Sequence, residues 1–267
     1  MTESVATEVV VCPDCREGLE LTEASVGCLT CGWRRSRAQG YLPLDLGVGQ
    51  ARRGLGPRAM YWRPLAKIYE RVWRPTFVAI ASRRRPDLEA EQVWIETHLL
   101  RAAGGDIADL SCGPGLMARR FARSGAYRRV YGVDLSPAML EACVTSCRQE
   151  MLPVFALQAD VVRLPFRGRS LAGVHAGAAL HLWADPLAAL VEVGRVLRPG
   201  GTFVASTFVH PRRYGPRHLI EDAFEHLSEV RFYGHDELEG LCAAAGLVDF
   251  QARRQGAWIL FTARAVR

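Results

Sequence analysis

Asp106-Ile107-Ala108-Asp109-Leu110-Ser111-Cys112-Gly113-Pro114-Gly115 is the stretch on which the reading of the fold turns. The run up to Leu110 reads as a short buried strand, and the Gly-rich turn after it opens a helix expected from about Leu116 to Ser124. A strand, a glycine turn and a helix N-terminus together present backbone N–H groups to a ligand. Working outward, the alternation repeats. A helix near 86–103 precedes the stretch, and a strand at Val130–Asp134 follows it. Ser136-Pro137 then supply an N-cap and a first-turn proline for the next helix. Further strands are predicted at Val154–Leu157 (ending near Asp160), Leu171–Ala176 and Thr202–Ser206, with a helix over Pro186–Leu197 and a turn at Pro199-Gly200-Gly201. The tail from Leu247 to Ala263 has room for two more strands. This order predicts an α/β, doubly wound sheet that binds its ligand at the carboxyl ends of the strands.

The turn by itself has two readings. Gly113-Pro114-Gly115-Leu116-Met117-Ala118 satisfies the dinucleotide pattern G-x-G-x-x-G/A, and Asp134, 21 residues beyond Gly113, is placed to meet a ribose. Two further acids favour a cationic, phosphate-free cofactor instead. Asp109 closes the first strand just before the turn, and Asp160 follows the third strand.

Asp109-Leu110-Ser111-Cys112-Gly113-Pro114-Gly115 resembles motif I of class I S-adenosyl-L-methionine-dependent methyltransferases, with Ser111 where most members have glycine. Leu197-Arg198-Pro199-Gly200-Gly201-Thr202-Phe203 is similar to their L-K-P-G-G segment. D-L-S-C-G-P-G-L (109–116), V-H-A-G-A-A-L-H-L-W (174–183) and I-L-F-T-A-R (259–264) resemble, more narrowly, methyltransferases of plant plastids and cyanobacteria that carry a cysteine ribbon ahead of the domain. The resemblance implies a Rossmann-like methyltransferase sheet and an S-adenosylmethionine site. Asp109 would hold the methionyl portion, Asp134 the ribose hydroxyls and Asp160 the adenine amino group, and Ser111 adds a hydroxyl for the cofactor carboxylate. Cys112, Gly113 and Gly115 belong to the same turn, Leu135 and Met139 follow Asp134, Val161 follows Asp160, and Ala176 and Gly177 end the fourth strand. The resemblance implies no particular acceptor.

A sulfonium methyl is already activated, so orientation of the acceptor supplies much of the rate, and a base is needed only where the acceptor loses a proton. His181 is the candidate base; its other reading is a helix-start histidine bonded to backbone. His175, inside a strand, reads as a core histidine or one supporting the site, and Cys143 and Cys147, one helical turn apart, as packing residues. His210 and Tyr214 follow the fifth strand and are candidate acceptor-pocket residues. Tyr69 and Trp73 are candidates too, from an amphipathic segment between about Ala59 and Ser82 that also holds Tyr61 and Trp62. That segment is either a lid over the acceptor or packing between modules.

Cys12-Pro13-Asp14-Cys15 and Cys28-Leu29-Thr30-Cys31 form two C-x-x-C knuckles twelve residues apart. Four thiolates make a closed tetrahedral shell, the structural kind of zinc site, and a catalytic metal would need an open position. Leu19, Leu21 and Val26 alternate around Glu23-Ala24-Ser25 as a short hairpin would. The chain therefore divides into a zinc ribbon (1–45), a linker with the aromatic helical segment (46–85) and a methyltransferase domain (86–267). The stretch Tyr41-Leu42-Pro43-Leu44-Asp45-Leu46, followed by Gly47, Gly49, Gly54 and Pro57, reads as linker. The ribbon is expected to depend on its metal, and the catalytic domain to fold and bind cofactor without the ribbon.

The apolar share of 49%, the charged share of 23% and the +6 net charge fit an ordinary soluble protein. Apolar runs break before the ~18 residues of a membrane span. Met-Thr-Glu-Ser-Val-Ala-Thr-Glu carries two glutamates and no apolar core, so a cytoplasmic protein is expected. A small-molecule methyl acceptor is the first reading of the partner. Ribosomal or transfer RNA is the rival, because a zinc ribbon ahead of this domain resembles ribosomal RNA guanine-N1 methyltransferases. Against RNA, Arg16, Arg34, Arg35 and Arg37 in the ribbon are balanced by Asp14, Glu17, Glu20 and Glu23, and no Asn-Pro-Pro-Tyr motif is present. The third reading is a methyltransferase fold that uses the cofactor without transferring its methyl.

Overall fold

Ile107, Ala108 and Leu110 are fully buried because β5 (Asp106–Leu110) lies inside an eight-stranded sheet with both faces covered. This computed structural model describes residues 8–38, 40–47, 61–69, 76, 87–210 and 230–266. β6 (Arg129–Asp134) and β8 (Leu171–Gly177) flank β5, both parallel to it. β7 (Val154–Gln158) lies beyond β6, and β9 (Leu197–Phe208) beyond β8, again in parallel. β10 (Leu247–Gln255) and β11 (Trp258–Ala265) form a hairpin whose second strand runs antiparallel to β9. The chain leaves β5 towards one side and later returns to its other side through β8. That reversal opens a crevice at the carboxyl ends of β5 and β8.

Period-two alternation sorts the core into two faces. Ile107 and Val130 point towards α2 (Leu88–Leu99) and α3 (Leu116–Ser124), where they meet Ile95, Leu99, Met117 and Phe121. Ala108, Leu110, Tyr131 and Val133 point to the opposite face, towards α5 (Pro186–Val196) and α6 (His235–Ala244). Capping residues start the helices where the sequence places them. Ser136 Oγ accepts the Met139 amide at the head of α4 (Pro137–Gln149), and Asp185 accepts the Ala188 amide at the head of α5. Among the described residues no helix is long and apolar enough to cross a membrane.

The expected linker begins differently. Tyr41–Pro43 form β4, which pairs in parallel with β7 and extends the sheet, and the Leu44 amide continues the ladder to Gln158 O at 2.8 Å. Without β4, β7 would be an open edge, and Pro43, which lacks an N–H, suits the outermost strand. Within the segment expected from Ala59 to Ser82, α1 (Arg63–Ile68) packs on α4, with Arg63 Nη2 2.9 Å from Glu141 Oε1.

β1 (Glu20–Leu21), β2 (Ser25–Gly27) and β3 (Arg34–Ser36) make a small antiparallel sheet, the first two strands being the expected hairpin. The ribbon has little core of its own. Cys12, Leu19, Val26 and Cys28 share one continuous cluster with Leu164 and Phe166, which precede β8, and with Leu190 of α5. Val10 bridges Phe166, and the Val11 amide donates to Pro165 O at 2.9 Å. The physical reason is size, since so few apolar side chains cannot exclude water without a neighbour.

Glu192 of α5 clamps this junction. Its carboxylate accepts from Arg195 Nε at 2.6 Å, from the Leu164 amide at 2.9 Å and from Arg16 Nη2 of the ribbon at 3.1 Å. Burial opposes its ionisation, but the Arg195 and Arg16 guanidiniums and the Leu164 amide outweigh that and hold it below the usual glutamate value. A carboxylate with a depressed folded pKa stabilises the fold above its unfolded pKa, and the effect disappears as pH falls through the folded value. Glu192→Gln should therefore cost about 1–3 kcal/mol at pH 7. In urea titrations the gap to the parent chain should close well below the ordinary glutamate pKa of about 4.3. A gap independent of pH would show that the ion pair is not its source.

Candidate active site

The Gly-rich turn is shaped by three left-handed residues, Ser111 (φ 50°), Gly113 (φ 56°) and Gly115 (φ 88°). Gly115 has a second constraint: a Cβ there would lie 2.4 Å from Cys143 Sγ of α4. Ser111 adopts a conformation that favours glycine, and its hydroxyl compensates by accepting from Trp183 Nε1 at 3.1 Å. Cys112 turns inward; its amide donates to Val133 O at 3.0 Å and its thiol is buried with Cys143 and Cys147 beneath α4. Those two α4 cysteines are packing residues.

Asp134 ends β6 and ties it to the turn. Oδ2 accepts the Gly113 amide at 2.8 Å, and Oδ1 accepts the Ser136 amide at 2.8 Å. Burial pushes its carboxyl up to about 6, against the lowering effect of the Ser136 and Gly113 amides. Beside it, Leu135 is half-buried and Met139 fully buried. Asp160, past the end of β7, caps the turn Val161–Arg163 by accepting the Val162 amide at 3.1 Å. Burial, followed by the charge of Asp45, raises the Asp160 carboxyl. A cavity of about 250 Å3 opens there, lined by Asp160, Val162 and Arg163 from one side and Pro13, Leu44, Asp45 and Leu46 from the other. The Arg163 guanidinium donates to the carbonyls of Pro13 and Asp14, so the first cysteine knuckle holds the loop that carries Asp160. Burial, and then the charges of Asp134, Asp45 and Asp160, push the Tyr61 phenol up to about 12.

On the other side of the turn lies a smaller cavity of about 30 Å3, lined among others by Asp109, Ser111, His175, Gly177 and Tyr69. Asp109 and His175 sit directly opposite one another on β5 and β8, and Nδ1 of the histidine is 2.7 Å from Asp109 Oδ1. Ala176 is buried within β8.

The expected residues Asp109, Ser111, Cys112, Gly113, Gly115, Asp134, Asp160 and Gly177 thus gather along the carboxyl edge of β8, β5, β6 and β7, and Tyr69 joins them. His181 does not line the small cavity. It is buried in the turn after β8, 3.4 Å from Thr207 Oγ1 and packed edge-on against Phe208. His210 is exposed and lies beside Phe232, with ring centres 6.0 Å apart. Trp73 and Tyr214 lie outside the described residues. Reading the sequence alone missed the engagement of Trp183 with Ser111, of Arg163 with the knuckle, and of Asp45 with Asp160. Each brings together residues distant in the chain, and none has a local signature.

Residues 108–205 match the methyltransferase domain family. An uncharacterized chloroplastic methyltransferase of Arabidopsis thaliana is 35% identical over 96% of this chain and 78% of its own. The chain belongs to the class I S-adenosylmethionine-dependent methyltransferases. A second uncharacterized chloroplastic methyltransferase of Arabidopsis thaliana is 38% identical over 74% of this chain, which spans 56% of that relative's length. A demethylmenaquinone methyltransferase of Tropheryma whipplei is 33% identical over 42% of this chain and 45% of its own. Among solved structures, the (4+2)-cyclase SpnF superposes with a TM-score of 0.59 at 18% identity, covering 68% of this chain and 82% of that one. At that identity the likeness is one of fold.

In the ribbon, the four sulfurs of Cys12, Cys15, Cys28 and Cys31 lie within 4.8 Å of one another. Cys15 Sγ is 3.4 Å from Cys28 Sγ, and Cys12 Sγ 3.7 Å from Cys31 Sγ. The Cys31 amide, against desolvation, holds the Cys28 thiol down to about 6.

Two effects oppose a side chain at position 115, and they are separable. Gly115→Ala should lower both stability and cofactor affinity: the left-handed backbone alone costs about 1–2 kcal/mol, and the Cys143 clash adds to it. Adding Cys143→Ala should recover the clash and leave the backbone cost, as read from paired thermal melts. Full recovery in the double variant would show that strain at φ 88° is negligible here.

Proposed function

We propose that this enzyme transfers the methyl group of S-adenosylmethionine to a small-molecule acceptor bound over the carboxyl ends of β5 and β8. The observation that carries the cofactor assignment is the placing of Asp109, Asp134 and Asp160 at the ends of three adjacent strands along one edge, with the Gly-rich turn between the first two. The cofactor supplies a sulfonium methyl that needs no further activation. The chain's own residues bind and orient it. Asp134, its carboxylate set by two amides, meets the ribose hydroxyls. Asp160, with Asp45 facing it across the larger cavity, accepts the adenine amino group. Asp109 faces the methionyl end, and the left-handed turn 111–115 lets the backbone approach closely. Tyr69, set against the turn, closes the acceptor side; the acceptor atom follows from whichever nucleophile is aligned there.

The demethylmenaquinone methyltransferase relative favours a small acceptor. The SpnF likeness keeps open a second reading, a rearrangement catalysed with the cofactor in a supporting role. Incubation with methyl-labelled S-adenosylmethionine and a cell extract separates them. Label in the small-molecule fraction supports the proposal, label in RNA replaces the acceptor class, and cofactor binding without transfer favours the second reading. In the same assay Asp134→Ala should weaken cofactor binding by about one to two decades, the loss expected of charge-assisted hydrogen bonds. In the parent chain affinity should fall as pH drops through about 6, where Asp134 takes up a proton and loses its charge. Asp134→Asn should flatten that dependence in calorimetry.

We infer further that the four cysteines hold a structural zinc. A tetrahedron with Zn–S of ~2.3 Å has sulfurs about 3.8 Å apart; two observed separations are 3.4 and 3.7 Å and all four sulfurs lie within 4.8 Å of one another, a cluster of that size. All four positions are filled by the chain, so the metal has no site for substrate. Cys28→Ser should lower metal content from about one zinc per chain. Because the knuckle carbonyls hold Arg163 and the ribbon shares the catalytic core, cofactor affinity should fall as well. An unchanged dissociation constant in metal-free protein would show that the knuckle does not support the Asp160 loop.

A further inference from the structure

Asp109 and His175 are almost wholly enclosed, with side chains 3% and 1% exposed, and the 2.7 Å bond between them uses one polar atom of each. Asp109 Oδ2 and His175 Nε2 are buried and, among the described residues, have no hydrogen-bond partner. Both residues line the cavity of about 30 Å3 beside the Gly-rich turn. Buried polar atoms are rarely left in this state, and two of them on paired residues that line one cavity point to a ligand group that satisfies both.

The imidazole is held from three sides. Asp109 fixes Nδ1, Phe121 packs edge-on with ring centres 5.4 Å apart, and Gly177 leaves the space the ring occupies. A Cβ at position 177 would lie 2.7 Å from His175 Cε1, so any other residue there would push the ring aside. When Asp109 accepts through Oδ1, Nδ1 is the donor of the 2.7 Å bond, and in the tautomer with its one hydrogen on Nδ1 the ring offers Nε2 as an acceptor. The wall of the cavity therefore carries two acceptors, one on a carboxylate and one on an imidazole, and its volume suits a group the size of a water molecule or an ammonium.

We propose that His175 is a cofactor-positioning residue. With Asp109 it forms a paired acceptor for the methionyl ammonium of S-adenosylmethionine, whose N–H groups reach Asp109 Oδ2 and His175 Nε2 together. This rests on the cofactor assignment above and adds to it a residue that the Gly-rich motif does not contain. Fixing the ammonium fixes the sulfonium at the far end of the methionyl chain, so the pair acts on where the methyl lies and not on its chemistry.

The test compares two cofactor analogues by calorimetry. S-adenosylhomocysteine carries the ammonium, and methylthioadenosine lacks the whole amino-acid portion. His175→Asn retains a donor for Asp109 and removes the acceptor at Nε2; His175→Gln places an amide oxygen near Nε2. His175→Asn should weaken S-adenosylhomocysteine binding by about tenfold or more and leave methylthioadenosine within about twofold, while His175→Gln should stay within about threefold for both. A merely structural histidine would move both ligands together. Thermal melts establish which variant is folded, and either one alone decides: Asn with unchanged or parallel losses, or Gln with a tenfold selective loss, overturns the proposal. Parent protein that binds neither analogue overturns the cofactor assignment too, whereas parent protein that binds both while Asn changes nothing overturns only the role of His175.

Discussion

The carboxylate of Asp134 accepts the Gly113 amide from one side and the Ser136 amide from the other, each at 2.8 Å, and the geometry of the crevice depends on this pair of bonds. They join the end of β6 to the turn after β5, so the turn cannot move without the strand beside it. Each bond is short and charge-assisted; one satisfies the N–H of the left-handed Gly113, the other that of Ser136, the extended N-cap of α4. The arrangement has an electrostatic consequence. A carboxylate buried deeply enough to organise the turn loses hydration, and its proton affinity rises towards neutrality.

The same logic of paired burial extends to the crevice's two ends. At the adenine end, Asp160 caps its own turn, and the loop is steadied by Arg163 reaching the carbonyls of the first knuckle. At the methionyl end, Asp109 is oriented by His175 from the neighbouring strand. In each case the acid leaves a strand end, and another element of the chain steadies its surroundings. The ribbon is part of this scheme. Its apolar side chains complete one face of the catalytic core, β4 covers the β7 edge, and Arg16 reaches Glu192. An appended module that closes a sheet edge and buttresses a binding loop has a mechanical role whether or not it also meets a partner.

The doubly wound sheet was legible in the chain because its signals are local. Short, mostly apolar strands, four of them with an acid or glycine at or near the carboxyl end (Asp109, Asp134, Asp160, Gly177), and helices opened by Ser136-Pro137 and Asp185-Pro186 carry their own period and caps. The hairpin between the knuckles was legible for the same reason. Tyr41–Pro43 was not: three residues beside a run of glycines have no period of their own, and only the empty edge of β7 makes them a strand.

What the sequence by itself determined is therefore the fold class, the family, the three strand-end acids and the four clustered cysteines, since each depends on residue types at short, regular spacings. Tertiary structure alone decided that His175 pairs with Asp109, that Trp183 supports Ser111, and that ribbon and catalytic domain share one core. Those outcomes depend on which side chains are brought face to face across 66, 72 or more residues of chain, and short-range spacing carries no record of such distances.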